Sequence, residues 1–273
     1  MALENNMTLS FVEQLMLHHT QYILSKDAEW VTFIHGAGGS SAIWYKQIRD
    51  FKKHFNILLI DLRGHGKSKV PITEKLKKYQ FETLGNDVLE VLDYLDIKST
   101  HFIGISLGTI MIREITERFP ERTKSMILGG AVMKLDLRGQ FLMRLGASLK
   151  SVIPYLLLYR LFAFIIMPRK RHRESRNLFI NEAKKLYQRE FKRWFTLISQ
   201  VNPLLKLFRI NDSGIPTLYV MGSEDHMFLP SIAKLVATHK SSELHVVQDC
   251  GHVVNVERPA EFNKVVLDYL RAR

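Results

Sequence analysis

Ser106 occupies the centre of a Gly-x-Ser-x-Gly segment that spans residues 104–108. An apolar, strand-like run at residues 101–103 precedes this segment, and a helix-like run at residues 109–114 follows it. A serine on a sharp turn from a strand into a helix has its hydroxyl exposed at the end of the sheet, and flanking glycines relieve crowding around the turn. The spacing therefore predicts that Ser106 is a nucleophile, although a glycine-rich turn with an incidental serine would show the same pattern.

A serine nucleophile needs a base that accepts its proton, and His252 is the best candidate for that base. It follows the strand-like run 243–247, lies directly after Gly251 and precedes a predicted helix over residues 259–270. The glycine leaves little backbone bulk around an imidazole that lies over the end of a sheet. His35 is the next candidate, but its glycine-rich turn suits a different role. We therefore predict that His252 is the general base.

The base in turn needs an acid that orients it, and Asp225 is placed to do this. It lies just beyond the apolar, strand-like run 216–221. A carboxylate beyond the carboxyl end of a strand can accept the imidazole N–H and fix its tautomer. Two other acids are alternatives: Glu224 lies one residue before Asp225, and Asp249 lies on the same loop as His252. With Asp225 as the acid, the order along the chain is serine, acid, histidine.

A glycine-rich turn at residues 35–40 follows the strand-like run 30–34. Glycines allow main-chain amides to approach a bound oxygen closely, so we predict an oxyanion hole formed by the amides of Ala37 and Leu107. Neither a G-x-G-x-x-G pattern nor a phosphate-loop ending is present, which argues against phosphate binding. Four further residues are expected to contact the substrate: Gly36, Gly38, Met227 and Val253.

Together these segments resemble the α/β-hydrolases, in particular the esterases, enol-lactone hydrolases and carbon–carbon bond hydrolases. The matching blocks are residues 35–39, 61–68, 104–108, 222–225 and 251–252. The resemblance covers residues 29–131 and 211–273 well, and it implies that Arg63 and His65 of the second block are structural. One departure is Thr109, which stands where many relatives have a second glycine after the serine turn.

The length of 273 residues, with 46% hydrophobic and 24% charged residues, suits one large α/β core. Alternating strand-like and helix-like runs predict a mainly parallel, doubly wound sheet, with short antiparallel strands from residues 14–24 at one edge. The resemblance implies a core domain of residues 1–131 and 211–273. It also implies a helical lid of residues 132–210, inserted after the sixth strand (about residues 124–128). Prolines are expected to break the lid helices at Pro154, Pro168 and Pro203.

Residues 132–210 carry 17 Lys and Arg against 4 Asp and Glu, whereas the rest of the chain is nearly neutral. Within them an apolar run at 155–167 precedes the basic sequence R-K-R-H-R at 169–173. The run is too short for a transmembrane span and contains Arg160. Three interpretations stay open: an apolar face that lines an acyl pocket, docking to an anionic membrane surface, or docking to an acidic acyl carrier protein. Nucleic acid is not expected, because no binding motif accompanies the charge.

The predicted activity is hydrolysis of a carboxylic ester or related acyl bond by a Ser-His-Asp triad through an acyl-enzyme. Lactone opening and carbon–carbon bond hydrolysis on the same triad are alternatives, and a small-molecule receptor or signalling protein that retains the triad is a further one. The single Cys250 excludes an internal disulfide. We expect no metal and no cofactor. The first residues lack a basic start followed by an apolar stretch, so a cytoplasmic location is expected.

Overall fold

The computed structural model describes residues 16–68, 78–134, 146 and 153–273. Its centre is a seven-stranded sheet with the order β1-β3-β2-β4-β5-β6-β7. The strands are β1 His19–Tyr22, β2 Trp30–Ile34, β3 Asn56–Ile60, β4 Thr100–Ile105, β5 Thr123–Gly129, β6 Thr217–Gly222 and β7 Ser242–Val247. Strand β1 is antiparallel to β3, and all other neighbouring pairs are parallel. The predicted mainly parallel α/β sheet is confirmed.

Helices connect the strands and cover the sheet. The α-helices are α1 Tyr45–Phe51, α2 Phe81–Tyr94, α3 Leu107–Arg118, α4 Tyr155–Ile166, α5 Arg173–Ala183, α6 Gln188–Ser199, α7 Asn202–Ile210, α8 Leu229–Val236, α9 Val254–Glu257 and α10 Pro259–Arg271. Short 3₁₀ turns span Ser41–Trp44, Pro120–Arg122 and Lys170–His172.

Successive side chains of the central strands enter two different cores. In β3, Ile57 and Leu59 pack with Phe51 of α1 and Phe262 of α10. Leu58, on the opposite face, packs in the cluster that includes the apolar sides of α2 and α3. All five residues of β3 and all six of β4 are buried, as expected for parallel strands covered by helices on both sides. The faces of the sheet are therefore occupied, which leaves the strand ends for chemistry.

The order in which successive strands are added to the sheet reverses between the neighbouring strands β2 and β4. Strand β2 pairs with β3 on one side and with β4 on the other, and later strands continue outward from β4. In open parallel sheets, ligands bind outside the carboxyl ends of the strands at this point. The turn after β2 and Ser106 after β4 therefore lie side by side.

Residues 132–210, here called the insertion, follow β5, the fifth strand within the described ranges. The predicted sixth place of this strand counts short strands within residues 14–24. Of these residues, 16–24 contain the single strand β1, and 14–15 lie outside the described ranges. The described end of the insertion consists of helices α4 to α7. As expected, Pro154 precedes α4 and Pro168 follows it. Pro203 lies in the first turn of α7, where a missing N–H costs no hydrogen bond.

Candidate active site

Ser106 forms the turn between β4 and α3 and has a positive φ, with φ 53° and ψ −116°. The turn is tight because other backbone lies against it. A Cβ at Gly104 would lie 2.9 Å from the backbone carbon of Gly108, and a Cβ at Gly108 would overlap the carbonyl of Ile34. Both glycines of the motif are therefore required by close approach, and the strained residue between them presents its side chain at the end of the sheet.

Thr109, the departure from the usual glycine, is accommodated by a local hydrogen bond. Its hydroxyl donates to the Ser106 carbonyl oxygen at 2.6 Å, and its backbone N–H reaches the same oxygen at 3.0 Å. The side chain is fully buried. Thr109 thus bonds to the backbone of Ser106 itself, and a side chain at this position is compatible with the turn.

The structure brings Ser106, His252 and Asp225 into one hydrogen-bonded line. The His252 Nε2 lies 2.9 Å from the Ser106 Oγ, and the His252 Nδ1 lies 2.8 Å from the Asp225 Oδ2. The aspartate follows β6 and the histidine follows β7, which are neighbouring parallel strands. His252 is 3% exposed and Asp225 1%, so water is largely excluded from the imidazole–carboxylate pair. This geometry lets Asp225 hold the imidazole tautomer whose Nε2 faces the serine hydroxyl.

The alternative acids and the alternative base have other partners. Glu224 Oε2 lies 2.8 Å from the Nε2 of His172, and Asp249 accepts a hydrogen bond from Arg171 at 2.6 Å. His35 is fully buried, accepts the Leu62 N–H on Nε2 and bonds the Gly36 carbonyl through Nδ1. Burial lowers the pKa of His35. These three residues therefore support the surrounding loops, while Asp225 contacts His252.

The glycine-rich turn after β2 lies against the serine turn, because a Cβ on Gly36 would be 3.2 Å from the Cβ of Ser106. Its Ala37–Gly38 peptide is held from both sides. The Tyr159 hydroxyl of α4 donates to the Ala37 carbonyl, and the Gly38 N–H donates to His65 Nε2 at 2.9 Å. A side chain at Gly38, where φ is 67°, would overlap the Tyr159 ring. The turn expected to supply one oxyanion amide is therefore fixed in place.

Leu107, the other expected oxyanion donor, is the first residue of α3. The first backbone N–H groups of a helix have no partner inside it and carry the positive end of the helix dipole. Such amides stabilise a negative oxygen.

His65 belongs to the block that the resemblance assigned to the scaffold, but it also borders the functional site. It accepts the Gly38 N–H, and its side chain lines the cavity that opens at Ser106. Burial and the nearby His35 lower the pKa of His65 to about 3, so the ring is neutral and can accept that hydrogen bond. Arg63 forms a 2.7 Å ion pair with Asp87, in keeping with a structural role.

The lowered pKa of His65 predicts a pH dependence of stability. The folded state resists protonation until about pH 3, whereas the unfolded chain takes up a proton below about pH 6.5. The contribution of neutral His65 to the free energy of unfolding is therefore fully present above pH 6.5. It is lost as the pH falls toward 3, at up to about 1.4 kcal/mol per pH unit. We expect His65→Gln to flatten this part of the curve in urea titrations at pH 7, 6 and 5. Parallel curves for the two proteins would contradict the prediction.

Two cavities meet at Ser106 and His252. The larger, of about 150 Å³, is walled by aromatic side chains of the insertion: Tyr159, Phe162, Phe179, Phe191, Trp194 and Phe195. The smaller, of about 30 Å³, is bordered by Ser175 and Glu182 of α5. Of the residues expected to contact substrate, Gly38 and Met227 border the larger cavity, and Gly36 and Val253 border the smaller one.

The basic sequence 169–173 lies against the core at the loops that carry Asp225 and His252. Arg169 forms an ion pair with Glu224, and Arg171 lies 2.6 Å from Asp249 and 3.5 Å from Glu224. Sequence reasoning assigned no role to these pairs, since their acidic partners are far away along the chain. Part of the positive charge of the insertion is therefore balanced by core carboxylates.

In the described ranges, no three histidine, cysteine, aspartate or glutamate side chains are grouped so that they could hold a metal ion. Nor does the described part of the chain contain a helix long and apolar enough to cross a membrane.

The fold and this site define a class of protein, and comparison with known families identifies it. The model of the α/β hydrolase fold family matches residues 29–259, so the chain belongs to that family and is an α/β-hydrolase. The chain is 26% identical over 249 residues to 3-oxoadipate enol-lactonase 2 of Acinetobacter baylyi, covering 88% of each protein. It is 25% identical over 268 residues to an uncharacterized carboxylesterase of Bacillus subtilis, covering 90% of this chain and 81% of the relative.

Solved structures agree on the fold. A hydrolase from Pseudomonas aeruginosa matches with a TM-score of 0.79 and 23% identity, covering 93% of this chain and 94% of the other. The enol-lactonase of Burkholderia xenovorans matches with a TM-score of 0.76 and 22% identity, covering 93% and 96%. The similar proteins thus include, by name, a carboxylesterase and two enol-lactonases.

Proposed function

We propose that this α/β-hydrolase cleaves a carboxylic ester or related acyl bond through a covalent acyl-enzyme on Ser106. The observation that carries the proposal is the continuous hydrogen-bonded line from Ser106 through His252 to Asp225. Each member has the neighbour that its role requires: the nucleophile faces a base, and the base faces a buried carboxylate.

In the first half of the reaction, the Ser106 Oγ attacks the substrate carbonyl carbon while His252 Nε2 takes the hydroxyl proton. The carbonyl oxygen becomes negative and is stabilised by the amides of Ala37 and Leu107. The bond to the leaving group then breaks, and His252 returns the proton to the leaving oxygen. In the second half, a water molecule attacks the acyl-enzyme, again with His252 as base, and releases the carboxylic acid and free Ser106. Asp225 stabilises the imidazolium in both halves.

The unequal cavities support an asymmetric substrate. The larger one is walled by aromatic rings and suits a bulky apolar part, at about 0.8 kcal/mol for each buried methylene. The smaller one has room for about two water-sized groups. Its border includes Ser175, whose buried hydroxyl has no hydrogen-bond partner among the described residues, and the Glu182 carboxylate. The substrate we favour therefore has a large apolar part on one side of the scissile bond and a small, hydrogen-bonding part on the other.

A panel of esters tests this substrate class. Esters with one bulky apolar side and one small side, such as methyl or 2-hydroxyethyl hexanoate, should be hydrolysed with increasing kcat/KM as the apolar side is lengthened. The expected gain is about fourfold per methylene until the cavity is full. Esters that are bulky on both sides, such as benzyl hexanoate, should be at least about tenfold poorer. Equal kcat/KM across the panel would contradict the asymmetric substrate but not the triad.

A lactone is the second candidate substrate, because two of the similar proteins are named enol-lactonases. The same triad opens a lactone without releasing a separate alcohol. Product analysis distinguishes the two, since a lactone yields a single hydroxy or oxo acid and an open ester yields two products.

A further inference from the structure

We propose that His172 of the insertion is a positioning residue that aligns both the acid loop and the base loop of the triad. The proposal rests on the function proposed above. His172 ends the 3₁₀ turn between α4 and α5 and is completely buried. Its Nε2 lies 2.8 Å from the Glu224 Oε2 and 3.8 Å from the Glu257 Oε2.

The contact with Glu224 reaches the acid loop. Glu224 directly precedes Asp225, and its backbone N–H donates to the Cys250 carbonyl at 2.8 Å, which ties the acid loop to the base loop. A shift of Glu224 would therefore move the backbone that carries Asp225 and would also loosen the neighbouring loop. His172 holds this carboxylate from the side of the insertion.

The contact with Glu257 reaches the base loop. The Glu257 Oε2 accepts the backbone N–H of Gly251 at 2.7 Å, and Gly251 directly precedes His252. The imidazole of His172 also packs against Gly251 itself, since a Cβ there would lie 2.9 Å from the His172 Nε2. One imidazole from the insertion thus contacts the residue before the catalytic acid and the residue before the catalytic base.

Burial makes the contact with Glu224 stronger than an ordinary surface pair. The side chains of Glu224 and Glu257 are each 6% exposed, and a buried carboxylate requires partners to remain in place. Arg169 and Arg171 also pair with Glu224, but both are about half exposed, so water and salt weaken their contribution. His172 is therefore the principal link, and the insertion must be seated on the core for the triad to be aligned.

The test compares His172→Ala with His172→Gln, whose amide N–H can still donate to Glu224. The alanine variant should lower kcat on a short ester about tenfold and change KM less than about twofold, because misalignment affects the chemical step. The rate at which a small fluorophosphonate labels Ser106 should fall by a similar factor. The glutamine variant should recover most of both losses. Circular dichroism and thermal unfolding identify any variant that does not fold.

A matched pair of double variants separates positioning from net charge. Arg169→Ala/Arg171→Ala and Lys170→Ala/Arg173→Ala remove the same charge from the basic sequence 169–173. Only the first should lower turnover of a short soluble ester, and by less than His172→Ala does, because both arginines are about half exposed. If the basic turn instead recruits an anionic carrier or membrane surface, both pairs should slow turnover of vesicle-presented substrate equally and leave the soluble ester unaffected. A loss in Arg169→Ala/Arg171→Ala as large as that in His172→Ala, or a His172→Ala variant with unchanged kcat and labelling rate, overturns the proposal.

Proton NMR tests the positioning role of His172 without any substrate. The imidazole proton bonded to Asp225 should give a downfield resonance that is absent in Asp225→Asn, and it should shift or broaden in His172→Ala. If the wild-type protein shows this resonance but hydrolyses no ester, the proposed function is contradicted and the positioning role of His172 is not. An unchanged resonance in folded His172→Ala would contradict the positioning role alone.

Discussion

Replacing Ser106 by alanine should lower the turnover of a short-chain ester by about 10⁶-fold, to the level that the oxyanion hole and binding alone provide. The serine hydroxyl is the group that faces His252 Nε2 at 2.9 Å, and no acyl-enzyme can form without it. The change removes one oxygen from a site that borders a cavity, so the fold should persist. Steady-state kinetics with a p-nitrophenyl ester measure the loss, and labelling by a fluorophosphonate should disappear with it.

The control for this prediction is Ser223→Ala, which removes a hydroxyl from the acid loop. Ser223 Oγ accepts the Asp249 N–H at 3.0 Å and lies outside the triad. Its loss should change turnover less than about threefold. Near-normal activity in a folded Ser106→Ala protein would refute the assignment of the nucleophile, and with it the acyl-enzyme.

The proposed nucleophile, acid and base could be located from the sequence because each lies within five residues of the end of a strand. In the sequence, β4, β6 and β7 are recognisable as short apolar runs. The residues that follow a parallel strand lie at the carboxyl end of that strand. Ser106, Asp225 and His252 are therefore placed together by local signals and by one rule of sheet topology. The glycine-rich turn after β2 lies beside Ser106 by the same rule.

Residues that act through long-range contacts left no local signal. His172 is 52 positions from Glu224, and Tyr159 is 122 positions from Ala37. Neither histidine nor tyrosine in a helical segment indicates such a partner, because the pairing depends on how the insertion packs on the core. The bounds of β1 left no clear signal for a similar reason: the sequence of residues 14–24 does not show where pairing with β3 begins and ends.

The basic charge of the insertion could be located from the composition, but the partners of the charged side chains could not. Composition located the excess of positive charge in residues 132–210. The structure shows that Arg169 and Arg171 face core carboxylates 55 and 78 positions away. Recruitment of an anionic partner stays a prediction, and the paired double variants above distinguish it from the contact with the catalytic loops.

Changing the two residues behind the nucleophile should produce losses of unequal size. His252→Ala should cost about as much as Ser106→Ala, because the imidazole transfers the proton in both halves of the reaction. Asp225→Asn should cost about 10⁴-fold, because the amide disfavours the tautomer whose Nε2 accepts the serine proton, while the serine and histidine remain. The 1% exposure of Asp225 explains why water does not replace the lost carboxylate.

Matched surface variants provide the control for these losses. His245→Ala breaks a half-exposed pair with Glu261, and Asp268→Asn breaks an exposed pair with Lys264. Pairs of this kind contribute little to stability, so both variants should keep kcat/KM within about twofold of the wild type. The members of the proposed triad are expected to act as one unit, so the double variant Ser106→Ala/His252→Ala should be no slower than either single variant. Additive losses in the double variant would show that His252 acts on a group other than Ser106.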